Sequence, residues 1–296
     1  VAFKDFLLLA LVCMIWGLNL VFTRYVVLEA PPLFYAFLRF AGIALVLAMF
    51  LRPIPRPFST VALVGVCIGG LNFVLLFMAL KHGTASEVAI ASLVGLPFTT
   101  LLSVLMLGEK VFWRRGLGMA LAFLGVLIIA YDPTGLSFSL GVVLGVLAAL
   151  AGSYGGVLMK KMNPVGMYNL QAWVAMVSWP LVLPLTALME ENHIGATVAV
   201  GWPALGALTF SIFAVSIFGH GQFYKLLQRY EVTQLTPLTL MTPIWAVVFG
   251  ALLLKEPITA KLVAGGSIAI LGVLIIAVRP NLRLPDAGAW WERWRS

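Results

Sequence analysis

The sequence predicts an all-α integral membrane protein, with ten transmembrane helices arranged as two inverted five-helix repeats around a central cavity. Three observations predict it. The chain is 62% hydrophobic and only 10% charged, with a mean hydropathy of +1.05, whereas a soluble domain is about 45–50% apolar and about 25% charged. Its apolar residues gather into about ten stretches of the length a helix needs to cross a bilayer, about 20 residues. Finally, Gly-Val-Leu-Ile-Ile-Ala occurs twice, at Gly125–Ala130 and Gly272–Ala277. Each copy follows a Leu-x-Glu at the same interval, Leu107-Gly108-Glu109 and Leu254-Lys255-Glu256. Two long stretches therefore align without a gap, which marks an internal duplication. The stretches are too long and too continuous for barrel strands, which run about ten residues in strict alternation. Helices remain, because each satisfies its backbone amides within its own segment.

The segments follow in order. The first, 6–27, is too long for a signal-peptide core and no small-residue cleavage site follows it. It carries Cys13, Trp16 and Asn19. The second, 33–51, holds Arg39 about two turns in. The third, 60–80, carries Gly65-x-x-x-Gly69, a spacing that permits close helix approach, then Cys67, Asn72, Phe73 and Phe77. The fourth, 86–107, contains Pro97 and Phe98, and the fifth, 115–131, ends on the first hexapeptide. A short linker at Asp132-Pro133-Thr134-Gly135 separates the halves. The sixth, 139–158, holds Gly141-x-x-x-Gly145, Gly152-x-x-x-Gly156 and Tyr154. The seventh, 168–189, contains Gln171 and Trp173, and the eighth, 203–225, contains His220, Gln222 and Tyr224. Pro243 and Trp245 fall in the ninth, 232–254, and the second hexapeptide closes the tenth, 260–278. The domains expected are thus a first repeat, 1–132, a second, 133–279, and a tail, 280–296, whose Trp290-Trp291-Glu292-Arg293-Trp294-Arg295 reads as an amphipathic interfacial anchor. The two cysteines lie in apolar segments, where packing rather than a disulfide is expected.

The basic residues orient the chain. With the N-terminus inside, the cytoplasmic loops receive Lys4, Arg52, Arg56, Lys110, Arg114, Arg115, Lys160, Lys161, Lys225, Arg229, Arg279, Arg283, Arg293 and Arg295. The opposite side receives Arg24, Lys81, Lys255 and Lys261. This positive-inside bias places both termini in the cytoplasm. The net charge of +8 then meets anionic headgroups of the lipid bilayer and calls for no nucleic acid. Because each repeat has an odd number of spans, the second enters the membrane from the side opposite to the first. Such inverted repeats are the usual sign of a transporter whose solute binds near mid-depth between them.

Trp16-Gly17-Leu18-Asn19, the two Leu-x-Glu elements (Leu107-Gly108-Glu109-Lys110 and Leu254-Lys255-Glu256-Pro257) and the stretch Gly118–Val126 with its Gly-x-x-Leu-x-x-x-Gly-Val pattern carry a resemblance. Over nearly its whole length the chain resembles the drug/metabolite transporter superfamily, EamA-like branch, and most resembles the bacterial YddG-type exporters of aromatic and other amino acids. The resemblance implies an inner-membrane exporter of small metabolites working by alternating access. A permease of the same fold for a sugar derivative or a hydrophobic drug is the alternative.

The residues point the same way. Every Asp and Glu falls at a segment end or in a loop. A proton- or cation-coupled carrier usually places a carboxylate at mid-depth, so a solute neutral or zwitterionic overall is favoured, and proton coupling is disfavoured. The expected substrate-binding set is Trp16, Asn19, Asn72, Phe73, Phe77, Phe98, Tyr154, His220, Tyr224 and Trp245. Amides at depth need partners that a zwitterion supplies, and an apolar, ring-lined cavity suits an amino-acid side chain. The repeat pairs Phe73 with His220 and Phe77 with Tyr224. For Asn19, Asn72, Gln171 and Gln222, helix–helix bonding is the competing expectation. Arg39, Pro97 and Pro243 are the expected gating residues: the arginine as a salt bridge to Glu29 or Glu87 or as an attractor of carboxylates, the prolines as kinks. A snorkelling Arg39 is the other possibility. Clustered His, Asp or Glu at depth, which an intramembrane enzyme or a metal site would need, are missing from the pattern. No enzyme, cofactor or metal is expected, and a monomer is the working expectation.

Overall fold

The computed structural model describes residues 1–108, 113–132, 137–159, 162, 165–230 and 232–277. Glu109, Lys110, Lys160, Lys161 and the tail 280–296, all invoked above, lie outside them. In chain order the helices are α1 (Phe3–Glu29), α2 (Pro32–Val46), α3 (Phe58–His82), α4 (Ala85–Leu107), α5 (Trp113–Ala130), α6 (Leu140–Met159), α7 (Met167–Met189), α8 (His193–Val200), α9 (Trp202–Arg229), α10 (Val232–Thr239), α11 (Met241–Leu253) and α12 (Ala260–Ala277). Eight of them, α1, α3 to α7, α9 and α12, are long and apolar enough to cross a membrane. Where the second and ninth spans were expected stand shorter apolar helices, α2 and the α10–α11 pair. A two-residue antiparallel ladder, Tyr131–Asp132 with Ser137–Phe138, closes the connection between α5 and α6.

Local chemistry explains most of the boundaries. Pro32 opens α2 at its first turn, where its missing N–H costs nothing. Beyond Val46 the chain passes into a 3-10 turn, Ala48–Phe50, instead of continuing to 51 as expected. There α7 holds it: Asn169 Nδ2 donates to the carbonyls of Phe50 (2.7 Å) and Pro53 (2.9 Å), and Trp173 Nε1 donates to that of Leu51 (3.1 Å). Thr84 and Glu87 form a capping box that starts α4. The left-handed Gly108, at φ 68°, ends it. In the second copy of Leu-x-Glu the middle residue, Lys255, takes the same left-handed backbone at φ 54°. The motif is therefore a helix stop. Short α8 was not expected from the sequence, and the ninth segment breaks at Leu240.

Two helices carry a widened turn that the sequence did not announce. Gly65–Leu71 within α3 and Ser211–His220 within α9 are π-helical. Under the repeat alignment the two segments coincide. Such segments are rare and concentrate at functional sites.

Two antiparallel helix pairs are among the contacts that join the halves. In the α5–α12 seam Gly118 lies against the Gly272 carbonyl and Ile276, while Gly265 lies against the Gly125 carbonyl and Ile129. These contacts are reciprocal, since Gly118 is to Gly265 as Ile129 is to Ile276. Without side chains on the glycines the backbones touch, which is how apolar helices gain packing energy where lipid offers no hydrophobic drive. In the second pair α2 runs against α7. Asn169 holds one end, and at the other Glu190 accepts from the N–H groups of Leu33 and Phe34, both at 2.8 Å. Outward residues such as Leu45, Leu105 and Leu252 are at least 70% exposed, as a lipid-facing belt requires. Cys13 and Cys67 are buried and free.

Candidate functional site

Among the described residues, two cavities that share Arg39 lie between the halves. The smaller, about 310 Å³, is lined by Trp16, Asn19 and Leu20 of α1, Arg39, Phe73, residues of α4, and His220, Thr242 and Pro243. The larger, about 520 Å³, takes in Asn72, Gln171, Phe223 and Tyr224 and reaches Met159 and Met167 at the facing ends of α6 and α7. Arg39, Phe73 and His220 belong to both. They form the partition between the two spaces. Among the described residues no Asp or Glu lines either cavity.

Arg39 dominates the electrostatics. It is 1% exposed, so it does not snorkel. Nor does it pair with Glu29 or Glu87, the latter being engaged in the capping box. Its guanidinium carbon stands 4.4 Å from the Phe73 ring centroid and 5.9 Å from that of Phe77. Nη2 makes a long bond, 3.4 Å, to Ser216 Oγ, while Nε and Nη1 have no partner among the described residues. Ser216 can turn toward it because of the π turn: its hydroxyl donates to the Ser211 carbonyl five residues back, at 3.0 Å. Trp16 meets His220 and Phe223, each at 5.3 Å between ring centroids. Its indole N–H and Asn19 Oδ1 also lack partners among the described residues. Gly219 permits this approach, since a Cβ there would stand 2.9 Å from Trp16 Nε1.

The structure therefore brings Trp16, Asn19, Asn72, Phe73, His220, Tyr224, Arg39 and Pro243 to one paired cavity. Asn72 also bonds helices, with Nδ2 donating to the Ala148 carbonyl at 2.5 Å. Tyr224 Oη donates to the Val165 carbonyl at 3.3 Å. Other expected residues lie elsewhere. Phe77 is fully buried behind Phe73, 5.6 Å from the Tyr35 ring, where it supports the wall without forming it. Phe98 packs on Phe123 at 5.1 Å. Tyr154 is half-buried and lines neither cavity. Trp245 stacks on Phe249 and fills the notch left by Gly17, against α1. These four are aromatic residues in apolar helices, and composition cannot separate a cavity wall from the packing behind it. Pro97 is buried off the cavity, but it and Pro243 are each the third residue of a helix segment restarted after a break, at Ser92–Val94 and at Leu240. Ser216, Phe223 and Thr242 were missed. Ser216 and Phe223 fall four residues before and three after His220, one helical turn to either side, which was the available signal.

A second polar constellation closes the end of the bundle opposite Met159 and Met167. Glu256 is 8% exposed. It accepts from Ala85 N (2.7 Å), Ser86 N (3.1 Å) and Ser86 Oγ (2.7 Å), and pairs with Arg24 Nε at 3.1 Å. Arg24 in turn donates to the carbonyls of Leu80 and Gly83. Glu256 thus caps the first turn of α4, where a carboxylate meets free N–H groups and the positive end of the helix dipole. Gly250 makes room for it: a Cβ there would stand 2.5 Å from Oε2. Glu190 does the same for α2. Each carboxylate comes from the second half of the chain and caps a helix of the first.

The EamA-like transporter family model matches residues 4–131 and again residues 139–278. The chain belongs to that family. This EamA-like protein is accordingly a multi-pass membrane transporter and not an enzyme. It is similar to a probable amino-acid metabolite efflux pump of Escherichia coli, 28% identical over 283 residues that span 92% of this chain and 94% of that one. The protein of the same description from Salmonella typhimurium is 29% identical over the same shares. A UDP-xylose transporter of Arabidopsis thaliana is 29% identical over 232 residues, 75% of this chain and 66% of that one. A solved crystal structure overlaps the EamA-like chain over 100% of both, with a TM-score of 0.56 and 17% identity, and so shares its fold.

Proposed function

We propose that this transporter exports small metabolites, foremost aromatic and other neutral amino acids, from the cytoplasm by alternating access. One observation carries the reading. The larger cavity runs from Arg39 to the helix ends at Met159 and Met167, while Glu190 and Glu256 tie the opposite end shut. That is the form expected of a carrier open to one side. The Lys/Arg bias supports an open side facing the cytoplasm with both termini inside, and the bacterial efflux-pump relatives support a bacterial inner membrane. The antiparallel α5–α12 and α2–α7 pairs, with the two family matches, support two inverted repeats, 1–132 and 133–279, in which α2 and α10–α11 complete ten crossings. Phe40, Ile43 and Phe223 offer an apolar bed for a side chain. The UDP-xylose-transporting relative favours a second reading, a permease for sugar derivatives. Uptake of a radiolabelled panel into proteoliposomes separates them: amino acids should move and nucleotide sugars should not.

Two outcomes are expected of that preparation. Transport should run down the solute gradient with no imposed pH difference, since among the described residues no carboxylate lines the cavities. Accumulation driven by a pH gradient alone would overturn this. In a cysteine-free background, cysteines at Ser59 and Ser139 should react with an impermeant thiol reagent from opposite faces. Labelling from one face would refute the inverted arrangement.

A further inference from the structure

The partition residue Arg39 says more about the substrate than its size does. Resting on the reading of this cavity as an amino-acid path, we infer that the group recognised is the substrate's carboxylate, seated on Arg39, and that the α-ammonium is dispensable. Monocarboxylic acids that lack an amine are therefore carried as well.

Arg39 is almost completely buried, and its one hydrogen bond among the described residues, to Ser216 Oγ, is long at 3.4 Å. The Phe73 ring beneath it engages the charge but leaves the N–H donors unspent, and such a contact offsets only part of what burying an ion costs. Nε and Nη1 have no partner among the described residues, and each shares an edge of the planar fork with Nη2, whose own bond is long. Such an edge matches a carboxylate in two parallel bonds once Ser216 Oγ yields its place on Nη2. The fork lies where both cavities meet, so an anion arriving through the larger space reaches it. The indole N–H of Trp16, unpartnered in the same wall, is a further donor.

An ammonium finds no equivalent. No Asp or Glu lines either cavity among the described residues. Asn19 Oδ1, 6% exposed and without a partner, is a neutral acceptor. It can take one ammonium N–H but supplies no countercharge, and the Arg39 charge opposes a second cation in a site of low dielectric. A zwitterion is therefore held through its acid end, and its amine adds a desolvation cost that one amide oxygen does not balance. The apolar bed asks only for a hydrocarbon or aromatic body, which a deaminated acid has.

The test compares phenylalanine, 3-phenylpropionate and phenethylamine as competitors of labelled phenylalanine counterflow in proteoliposomes, with direct binding read from tryptophan fluorescence of the purified protein. Phenylpropionate should compete at concentrations equal to or below those of phenylalanine, and phenethylamine should need about 10- to 100-fold more. Arg39→Gln should bring the acid and the amine to near equality. Arg39→Lys, which keeps the charge without the fork and serves if the glutamine variant does not fold, should bind the acid more weakly yet still prefer it. Phenethylamine competing as well as phenylpropionate, or an unchanged preference in the folded Arg39→Gln protein, overturns the inference. If phenylalanine moves but only amines compete, the inference fails while the amino-acid reading stands. If phenylpropionate binds and phenylalanine neither binds nor moves, the amino-acid reading fails and the carboxylate seat stands. If none of the three binds, both fall.

Discussion

Replacing Glu256 with alanine is expected to destabilise the protein by about 3–5 kcal/mol, the usual cost of removing one partner from a buried ion pair. The side chain is 5% exposed and that of Arg24 17%, so water does little to compensate. The substitution removes the countercharge of the Arg24 guanidinium, empties the first-turn cap of α4 and loosens the α11–α12 connection from α1 and α4, all in one step. Unfolding in mixed micelles titrated with sodium dodecyl sulfate measures the loss. Glu256→Gln, which keeps an acceptor oxygen, should lose less. The same change should open the outer end: a cysteine at Leu20, in the smaller cavity, should react faster with an impermeant reagent added outside. Unchanged stability together with unchanged labelling would remove Glu256 from any role in the seal.

The second large effect belongs to the seam. Gly265→Leu should abolish recovery of folded protein, because a Cβ alone would stand 2.6 Å from the Gly125 carbonyl oxygen and 2.6 Å from Ile129 Cγ1. One obstacle is backbone and cannot rotate away, so the helices must separate. Gly265→Ala should cost about 1–3 kcal/mol by overpacking. Gly116 on α5 is the control, since nothing lies within 4 Å of its Cβ position. Alanine there should be neutral or stabilise by up to about 1 kcal/mol through helix propensity. Size-exclusion profiles and yields of the three variants decide it, and a monodisperse Gly265→Leu protein would sink the seam argument.

The spans and the duplication were legible because both are written in long runs. A length of about 20 apolar residues is a bilayer constraint that few other structures satisfy, and a hexapeptide repeated in register needs no structural inference. The polar part of the site was legible for a related reason: Asn19, Asn72, Arg39 and His220 are conspicuous where polarity is expensive. The aromatic part was not. Phe73 and Phe77 are four residues apart on one face, yet the first forms the wall and the second stands behind it, a difference set by how α2 and α3 pack. The two π turns left no trace either, because they depend on backbone register. Glu256 was visible as a motif, but its partners Ala85 and Ser86 are 171 and 170 residues away in the chain. No local pattern connects them.

The reciprocity of the α5–α12 contacts bears on the history of the gene. After a duplication each copy is ordinarily free to drift, and the two lose their likeness. Here each hexapeptide is the mould into which the other is cast. Ile129 is fitted to Gly265 as Ile276 is fitted to Gly118, so a larger residue in one helix collides with the backbone of its twin. Divergence at this place requires two compensating changes at once, while elsewhere it requires one. The most recognisable trace of the ancestral repeat survives where the two copies still hold each other to the original.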